Sequence, residues 1–359
     1  MLKQNYAKKN PGTELLRIIA CMIIISRHAY DTTFDSIPST FLYMMAVGGP
    51  TCFWFITGFF IFKRTEYKQY RINSLKRVGI PAIIMLVLYY FLEPANLHFP
   101  LSFASIFNKT GADLSKLLQD ILSFNPPDGC FYFWYVYTYI LVLILLPFIV
   151  SFVRFLDESA RRKRIFIIVT LVLFFINGLS NNELLEFSNH GISAFIPATI
   201  EIILGHFIYD YFHEKANFTY AIISFAVLVI INIFKSVLFF KYNFVNTVYW
   251  FGFFTLFAAT CLTVFSMGIM KKVKVQGALH NSICFFGSIT FDIYLIHVLV
   301  VRFAEDNGVF DLLHKLTFIT SSTFVNTVFY KTIIVLFVFF VSAAIICVVK
   351  SIGSLIKKK

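Results

Sequence analysis

Residues 14–28 read Glu14-Leu-Leu-Arg17-Ile-Ile-Ala-Cys-Met-Ile-Ile-Ile-Ser-Arg27-His28, an apolar run with polar groups at both ends. In a helix of about 100° and 1.5 Å per residue, Arg17 and His28 share one face, about 16 Å apart along the axis. Glu14 is three residues before Arg17 and is placed to pair with it. Polar groups inside a membrane helix are typical of a pore, a cavity or a catalytic site. The alternative is that Arg17 extends to the inner headgroups while Arg27 and His28 reach the outer interface.

The composition is that of an integral membrane protein. The 359 residues are 58% hydrophobic and 14% charged, whereas a soluble domain carries about 25% charged residues. The formal net charge of +12 is explained by topology signals and contact with anionic lipid. Nucleic acid is not an expected partner, because the basic residues fall in short clusters between apolar segments. The six cysteines show no metal or disulfide spacing, so no metal site is expected.

Apolar stretches of membrane-spanning length recur ten times along the chain. Their approximate limits are 13–32, 41–62, 78–97, 131–153, 165–181, 192–212, 217–235, 246–269, 280–301 and 330–350. If the N-terminus is inside, most Lys and Arg residues fall in the inner segments, as the positive-inside rule requires. We therefore expect an all-α polytopic protein of the cell (plasma or inner) membrane, with about ten transmembrane helices in one bundle and both termini cytoplasmic. Residues 1–359 are expected to form one membrane domain with no appended soluble domain.

The two longest outer loops, 98–130 and 302–329, contain several turn-forming residues. They are interpreted either as lids or acceptor-binding surfaces, or as tethers with short surface helices. In the second span, Gly48-Gly49-Pro50 predicts a break or kink, and Gly58 predicts a close approach between helices.

Further polar residues lie inside the predicted spans: Glu93, Glu201, His206, Asp292 and His297. Each alone is more commonly an interhelical packing or hydrogen-bonding residue than a functional one. Tyr294 and His297 are one helical turn apart and face the same way. Glu201 and His206, five residues apart, are interpreted as polar residues of the bundle interior with no assigned role.

The aromatic stretch around Trp134 and Tyr135 begins the fourth span, where an outer-interface belt is expected in any membrane protein. The same rings also offer stacking faces for a sugar.

Five stretches of the chain, taken in order, resemble the membrane acyltransferases of acyltransferase family 3. The first is the arginine and histidine with ten residues between them, Arg17 and His28. The others are Phe53-Trp-Phe-Ile-Thr57-Gly58-Phe-Phe, Arg77-Val-Gly-Ile-Pro81, Trp134-Tyr135 with Tyr139 and Pro147, and Ile293-Tyr294-Leu-Ile-His297. Ser74 stands where the family often has the first of two arginines, a place that Arg71 or Lys76 could fill. Asp292 replaces a residue that is commonly small.

The resemblance implies transfer of an acyl group, expected to be acetyl, from cytoplasmic acyl-CoA to a hydroxyl of a cell-envelope glycan or its lipid-linked precursor. Acetyl-CoA is then a co-substrate, and no bound cofactor is expected. His28 is the expected general base, and Arg17 the residue that positions the donor or neutralises its charge. Lys76 and Arg77 are expected to hold the donor's phosphates. The remaining expected substrate- or donor-binding residues are Trp134, Tyr135, Asp292, Tyr294 and His297.

Two other classes of membrane protein stay open on the residues alone. A transporter or flippase would also have many spans with intramembrane His, Asp and Glu, although no inverted repeat is visible in the sequence. A polysaccharide polymerase likewise combines many spans with large outer loops.

Overall fold

The structure is a computed structural model that describes residues 9–29, 41, 48–63, 66–92, 115, 118–119, 131–179, 194–242, 252–273, 277–316 and 323–356. Within these ranges nearly every residue is helical and there is no strand. The expected all-α class is therefore confirmed.

Twelve helices are described in these ranges. They are α1 (Pro11–His28), α2 (Gly49–Ile61), α3 (Tyr67–Ser74), α4 (Ile80–Leu92), α5 (Trp134–Asp157), α6 (Ala160–Leu179), α7 (Phe195–Lys215), α8 (Phe218–Tyr242), α9 (Phe253–Met270), α10 (Ala278–Asp306), α11 (Val309–Leu316) and α12 (Thr323–Ile356). Each of the ten predicted spans overlaps at least one of them.

Six segments of the described chain are long and apolar enough to cross a membrane. They are Tyr67–Tyr89, Trp134–Asp157, Phe218–Phe239, Phe253–Met270, Ala278–Asp306 and Val325–Leu355. The shorter helix Gly49–Ile61 is apolar as well. The chain is thus a multi-pass membrane protein. Its count of ten spans, the side of its termini and the single-domain assignment stay predictions.

The first helix begins where its sequence provides a strong cap. The Asn10 side-chain oxygen accepts hydrogen bonds from the backbone N–H groups of Gly12 at 2.9 Å and Thr13 at 3.4 Å. Pro11 occupies the first helical position, where its missing N–H costs nothing. The helix then continues without a break to His28, so the predicted shared face of Arg17 and His28 holds.

The break predicted in the second span lies at Gly48, which has a φ of 117°. This left-handed conformation is accessible to glycine because it has no Cβ. Helix α2 begins at the next residue, Gly49.

The third predicted span began too late. Its helix starts at Tyr67 rather than near residue 78, because α3 continues into α4 through a π-helical turn at Leu75–Gly79. The prediction followed apolarity, whereas the preceding Lys, Gln and Arg residues are good helix formers that hydropathy does not detect. Lys76 and Arg77 consequently lie about 14 Å into a continuous helix rather than before it.

The described residues fall into two compact units. The first comprises residues within Met1–Phe53, Phe212–Val248 and Phe257–Lys359, and the second comprises residues within Trp54–Tyr211 and Tyr249–Leu256. The core of the first unit is formed by α1, α10 and α12, and it includes the fully buried residues Ile25, Ile293 and Val338. Helix α11, inside the predicted outer loop 302–329, packs on this core through Phe310.

In the second unit, α2 and α7 touch at two glycines. A Cβ on Gly58 would overlap the backbone carbonyl oxygen of Ile202, and one on Gly205 would overlap the backbone of Phe55. The predicted close approach at Gly58 is therefore confirmed, and Gly205 is its counterpart on α7.

We expect Gly58→Ala to lower the stability of the purified protein by about 1–3 kcal/mol, because the added methyl must push two backbones apart. The measurement is thermal unfolding in detergent. Gly353→Ala is the matched control, because nothing lies within 4 Å of a Cβ at that position. Equal melting temperatures for the two variants would contradict this packing.

Candidate active site

The first unit brings α1 and α10 together along their length. Three contacts follow one another in the same order on both helices: Glu14 with Gly287, the Cys21 thiol with the Thr290 carbonyl oxygen at 3.7 Å, and His28 with His297. The two helices therefore run parallel. This direction is the one that the predicted topology requires of its first and ninth spans, because both are odd-numbered.

One end of this helix pair carries two histidines and a tyrosine that the sequence had singled out. The ring centroids of His28 and His297 are 5.1 Å apart, and those of Tyr294 and His297 are 5.7 Å apart. His297 is fully buried, while His28 is partly exposed. The structure thus joins residues from the first and last matching stretches of the sequence.

A backbone contact fixes the tautomer of His297. Its Nδ1 lies 2.6 Å from the Tyr294 carbonyl oxygen. Because a carbonyl oxygen can only accept, Nδ1–H is the donor. The neutral ring of His297 therefore carries its lone pair on Nε2.

The other end of the helix pair holds a charged pair. Arg17 Nη1 donates to Glu14 Oε1 at 2.6 Å, and the two side chains are 28% and 4% exposed, respectively. The pairing expected from the three-residue spacing of Glu14 and Arg17 is therefore confirmed. The alternative in which Arg17 extends to the inner headgroups did not include this buried carboxylate as a partner. With α1 unbroken, Arg17 and His28 are separated by about 16 Å along the helix axis.

No contact described for Asp292 connects it with the histidines or with the charged pair of α1 and α10. Its carboxylate accepts a hydrogen bond from Lys350 Nζ of α12 at 2.6 Å. It precedes His297 by five residues, which places the two about 140° apart around α10. The predicted binding role of Asp292 stays a prediction.

Lys76 and Arg77 lie in the second unit, on the π-helical turn between α3 and α4, and both are exposed. Such turns occur frequently at functional sites. Arg71 instead donates to the Ile144 carbonyl oxygen on α5 at 3.3 Å. Of the two residues proposed to replace the missing arginine, Lys76 is the exposed one beside Arg77.

Trp134 and Tyr135 belong to an aromatic cluster of the second unit. The Tyr135 ring lies 4.2 Å from that of Trp54 and 6.1 Å from that of Trp134. Trp54 is fully buried and Trp134 is 7% exposed, so these two rings mainly pack within the protein. Tyr135 is partly exposed and is the better candidate for stacking on a sugar.

A charged network around His206, also in the second unit, was not predicted. His206 Nε2 is 3.3 Å from Asp157 Oδ2 and 3.5 Å from Asp210 Oδ2. Lys163 pairs with Asp157 at 2.7 Å, and Lys63 lies 3.8 Å from Asp210. The network connects α5, α6 and α7 with the residues that follow α2. The spacing of His206 and Asp210 was a readable signal, but the position of Asp157 on another helix was not.

Two further polar residues were predicted inside the spans, Glu201 and Glu93. Glu201 is fully buried on α7. Glu93 and most of the outer loop 98–130 lie outside the described residues.

A family model described as an acyltransferase domain, that of acyltransferase family 3, matches residues 10–352. The chain belongs to acyltransferase family 3. No curated protein and no solved structure matches it significantly, so this assignment rests on the family model. It indicates acyltransferase activity in a multi-pass membrane protein, as the five matching stretches had implied. The match includes α1, α10 and every other helix that carries a predicted site residue.

We expect Asp157→Asn to destabilise the protein by roughly 0.5–1 kcal/mol, because it removes the charge that faces both His206 and Lys163 and the Asp157 side chain is 37% exposed. Thermal unfolding in detergent measures the change. Glu158→Gln is the neighbouring control, since its carboxylate is 68% exposed and pairs only with Arg162 among the described ion pairs. An Asp157→Asn protein no less stable than Glu158→Gln would show that the network contributes nothing to the fold.

Proposed function

We propose that the protein is a membrane O-acyltransferase that moves an acetyl group from cytoplasmic acetyl-CoA to a hydroxyl of a cell-envelope glycan or its lipid-linked precursor. The observation that carries this proposal is the convergence of His28, Tyr294 and His297 on two parallel helices, with Arg17 on the same face of α1. Membership of acyltransferase family 3 supports an enzyme over a transporter, flippase or polymerase.

Arg17 is the proposed contact for the inner end of the donor's pantetheine arm, and the thioester lies at the other end of the arm, near His28. A guanidinium has five N–H donors, so its pair with Glu14 does not exhaust its capacity to bind a carbonyl or an anion. The axial distance of about 16 Å between Arg17 and His28 is similar to the length of a pantetheine arm. One extended donor could therefore reach from the inner part of the membrane to the histidines.

Lys76 and Arg77 are proposed to bind the phosphates of acetyl-CoA. Both are cations on an exposed turn, and arginine pairs with phosphate in a bidentate manner. The predicted inner location of this end of the helix agrees with a cytoplasmic donor.

His28 is proposed as the general base on the acceptor hydroxyl. As the hydroxyl oxygen attacks the thioester carbonyl, the imidazole takes its proton. A carbon–oxygen bond then forms, the carbon–sulfur bond breaks, and the proton passes from His28 to the departing CoA thiolate. His297, with its lone pair on Nε2, and Tyr294 are proposed to orient His28 and the acceptor.

The catalytic role of His28 is tested in cells whose single copy of the protein carries His28→Ala. We expect the variant to insert normally and envelope acetylation to disappear, read by NMR of the isolated glycan. Ser26→Ala is the control, because the Ser26 hydroxyl donates to the Ile23 carbonyl of its own helix at 2.7 Å. Full acetylation with His28→Ala would exclude the base role.

The donor site is tested by the kinetics of Arg77→Gln. Losing a phosphate contact should raise the KM for acetyl-CoA roughly 5- to 50-fold with a smaller change in kcat, because such a contact is made equally in the ground and transition states. Lys68→Gln, an exposed cation of α3, is the matched control. Equal KM values in the two variants would contradict phosphate binding at Arg77.

A further inference from the structure

Glu14 is buried in a place where a carboxylate is costly. Its side chain is 4% exposed, and it lies on an apolar helix packed against another helix. Removing an ionised carboxylate from water costs several kcal/mol unless a partner compensates. A chain that keeps this residue needs a compensating contact, and Arg17 provides it at 2.6 Å.

The contact between Glu14 and Arg17 fixes one carboxylate oxygen and leaves the other enclosed. Oε1 accepts from Arg17 Nη1. Oε2 is buried and has no hydrogen-bond partner among the described residues. Stability alone does not explain this arrangement well, since an unsatisfied buried acceptor is itself unfavourable.

Gly287 of α10 forms the surface against which this carboxylate lies. A Cβ built on Gly287 would be 2.7 Å from Glu14 Cβ and 3.0 Å from Glu14 Cα, and it would overlap Oε2. Glycine is therefore required by close approach. The Glu14 side chain is held between the α10 backbone on one side and the Arg17 guanidinium on the other.

We propose that Glu14 is a positioning residue for Arg17, and that Gly287 supplies the surface that sets the direction of its carboxylate. The inference rests on the proposed function, in which Arg17 contacts the donor. Holding Nη1 restrains the guanidinium, so that its edge toward the donor keeps one orientation and the thioester at the far end of the pantetheine arm keeps its position. Misplacing a positioning group by about 1 Å can cost 10²-fold in rate.

Three substitutions disturb this arrangement in different ways. Glu14→Gln keeps the side-chain volume and removes the charge. Glu14→Asp keeps the charge but shortens the side chain by one methylene, which moves the carboxylate away from Arg17. Gly287→Ala leaves both charges intact and displaces the carboxylate. If Glu14 acts through Arg17, all three variants share one kinetic defect.

The assay follows CoA release from acetyl-CoA by membranes of the producing cell, which carry the acceptor, with each variant as the single copy. We expect kcat to fall roughly 10- to 100-fold in all three variants, with the KM for acetyl-CoA changed less than about threefold. In an Arg17→Lys background, Glu14→Gln should cause a clearly smaller further loss, because coupled residues are not additive. Gly353→Ala serves as the unhindered glycine control.

The outcomes separate this inference from the proposed function. No acetyl-CoA-dependent CoA release by the wild-type protein would overturn the proposed function and, with it, this inference. An active wild type with unchanged kcat in Glu14→Gln and Glu14→Asp would overturn the positioning role alone. So would variants that lose only yield or melting temperature while each folded molecule turns over normally. If one variant fails to fold, the other two decide by the same criteria.

Discussion

The fold of the first unit depends on how an apolar helix accommodates charge. Helix α1 carries Glu14 and Arg17 in an otherwise apolar stretch, and burying them in separate places would cost several kcal/mol each. The pair is tolerated because its charges are in contact and because Gly287 lets α10 approach closely. The same approach continues to the far end of α1, where His28 meets His297. The pairing of α1 with α10 thus positions the polar residues at both ends of α1.

The sequence was sufficient to predict the features that depend on a single helix. The spacing of Arg17 and His28 placed them on one face, and the unbroken helix from Pro11 to His28 agrees. The one-turn spacing of Tyr294 and His297 was equally readable. The position of Gly58 within an apolar span likewise predicts a close approach between helices. These features follow from helical geometry, which local spacing encodes.

Local sequence patterns could not predict the contacts between helices. The pairing of Asp292 with Lys350 and of His206 with Asp157 joins residues on separate helices, and periodicity within one helix contains no information about its neighbours. The start of the third helix at Tyr67 was missed for another reason, because hydropathy reports apolarity and not helicity. Trp134 was interpreted as an outer-interface ring that also offers a stacking face for a sugar; it is 7% exposed, and its binding role stays a prediction.

The proposed reaction has a direction, with the donor on the cytoplasmic side and His28 toward the outer side. The most direct measurement uses sealed membrane vesicles of the producing cell, supplied externally with acetyl-CoA labelled in its acetyl group. Inside-out vesicles, whose cytoplasmic face is outward, should transfer label to their glycan. Sealed right-side-out vesicles should do so only after permeabilisation. Equal labelling by intact vesicles of both orientations, or label transfer without the protein, would contradict the proposed reaction.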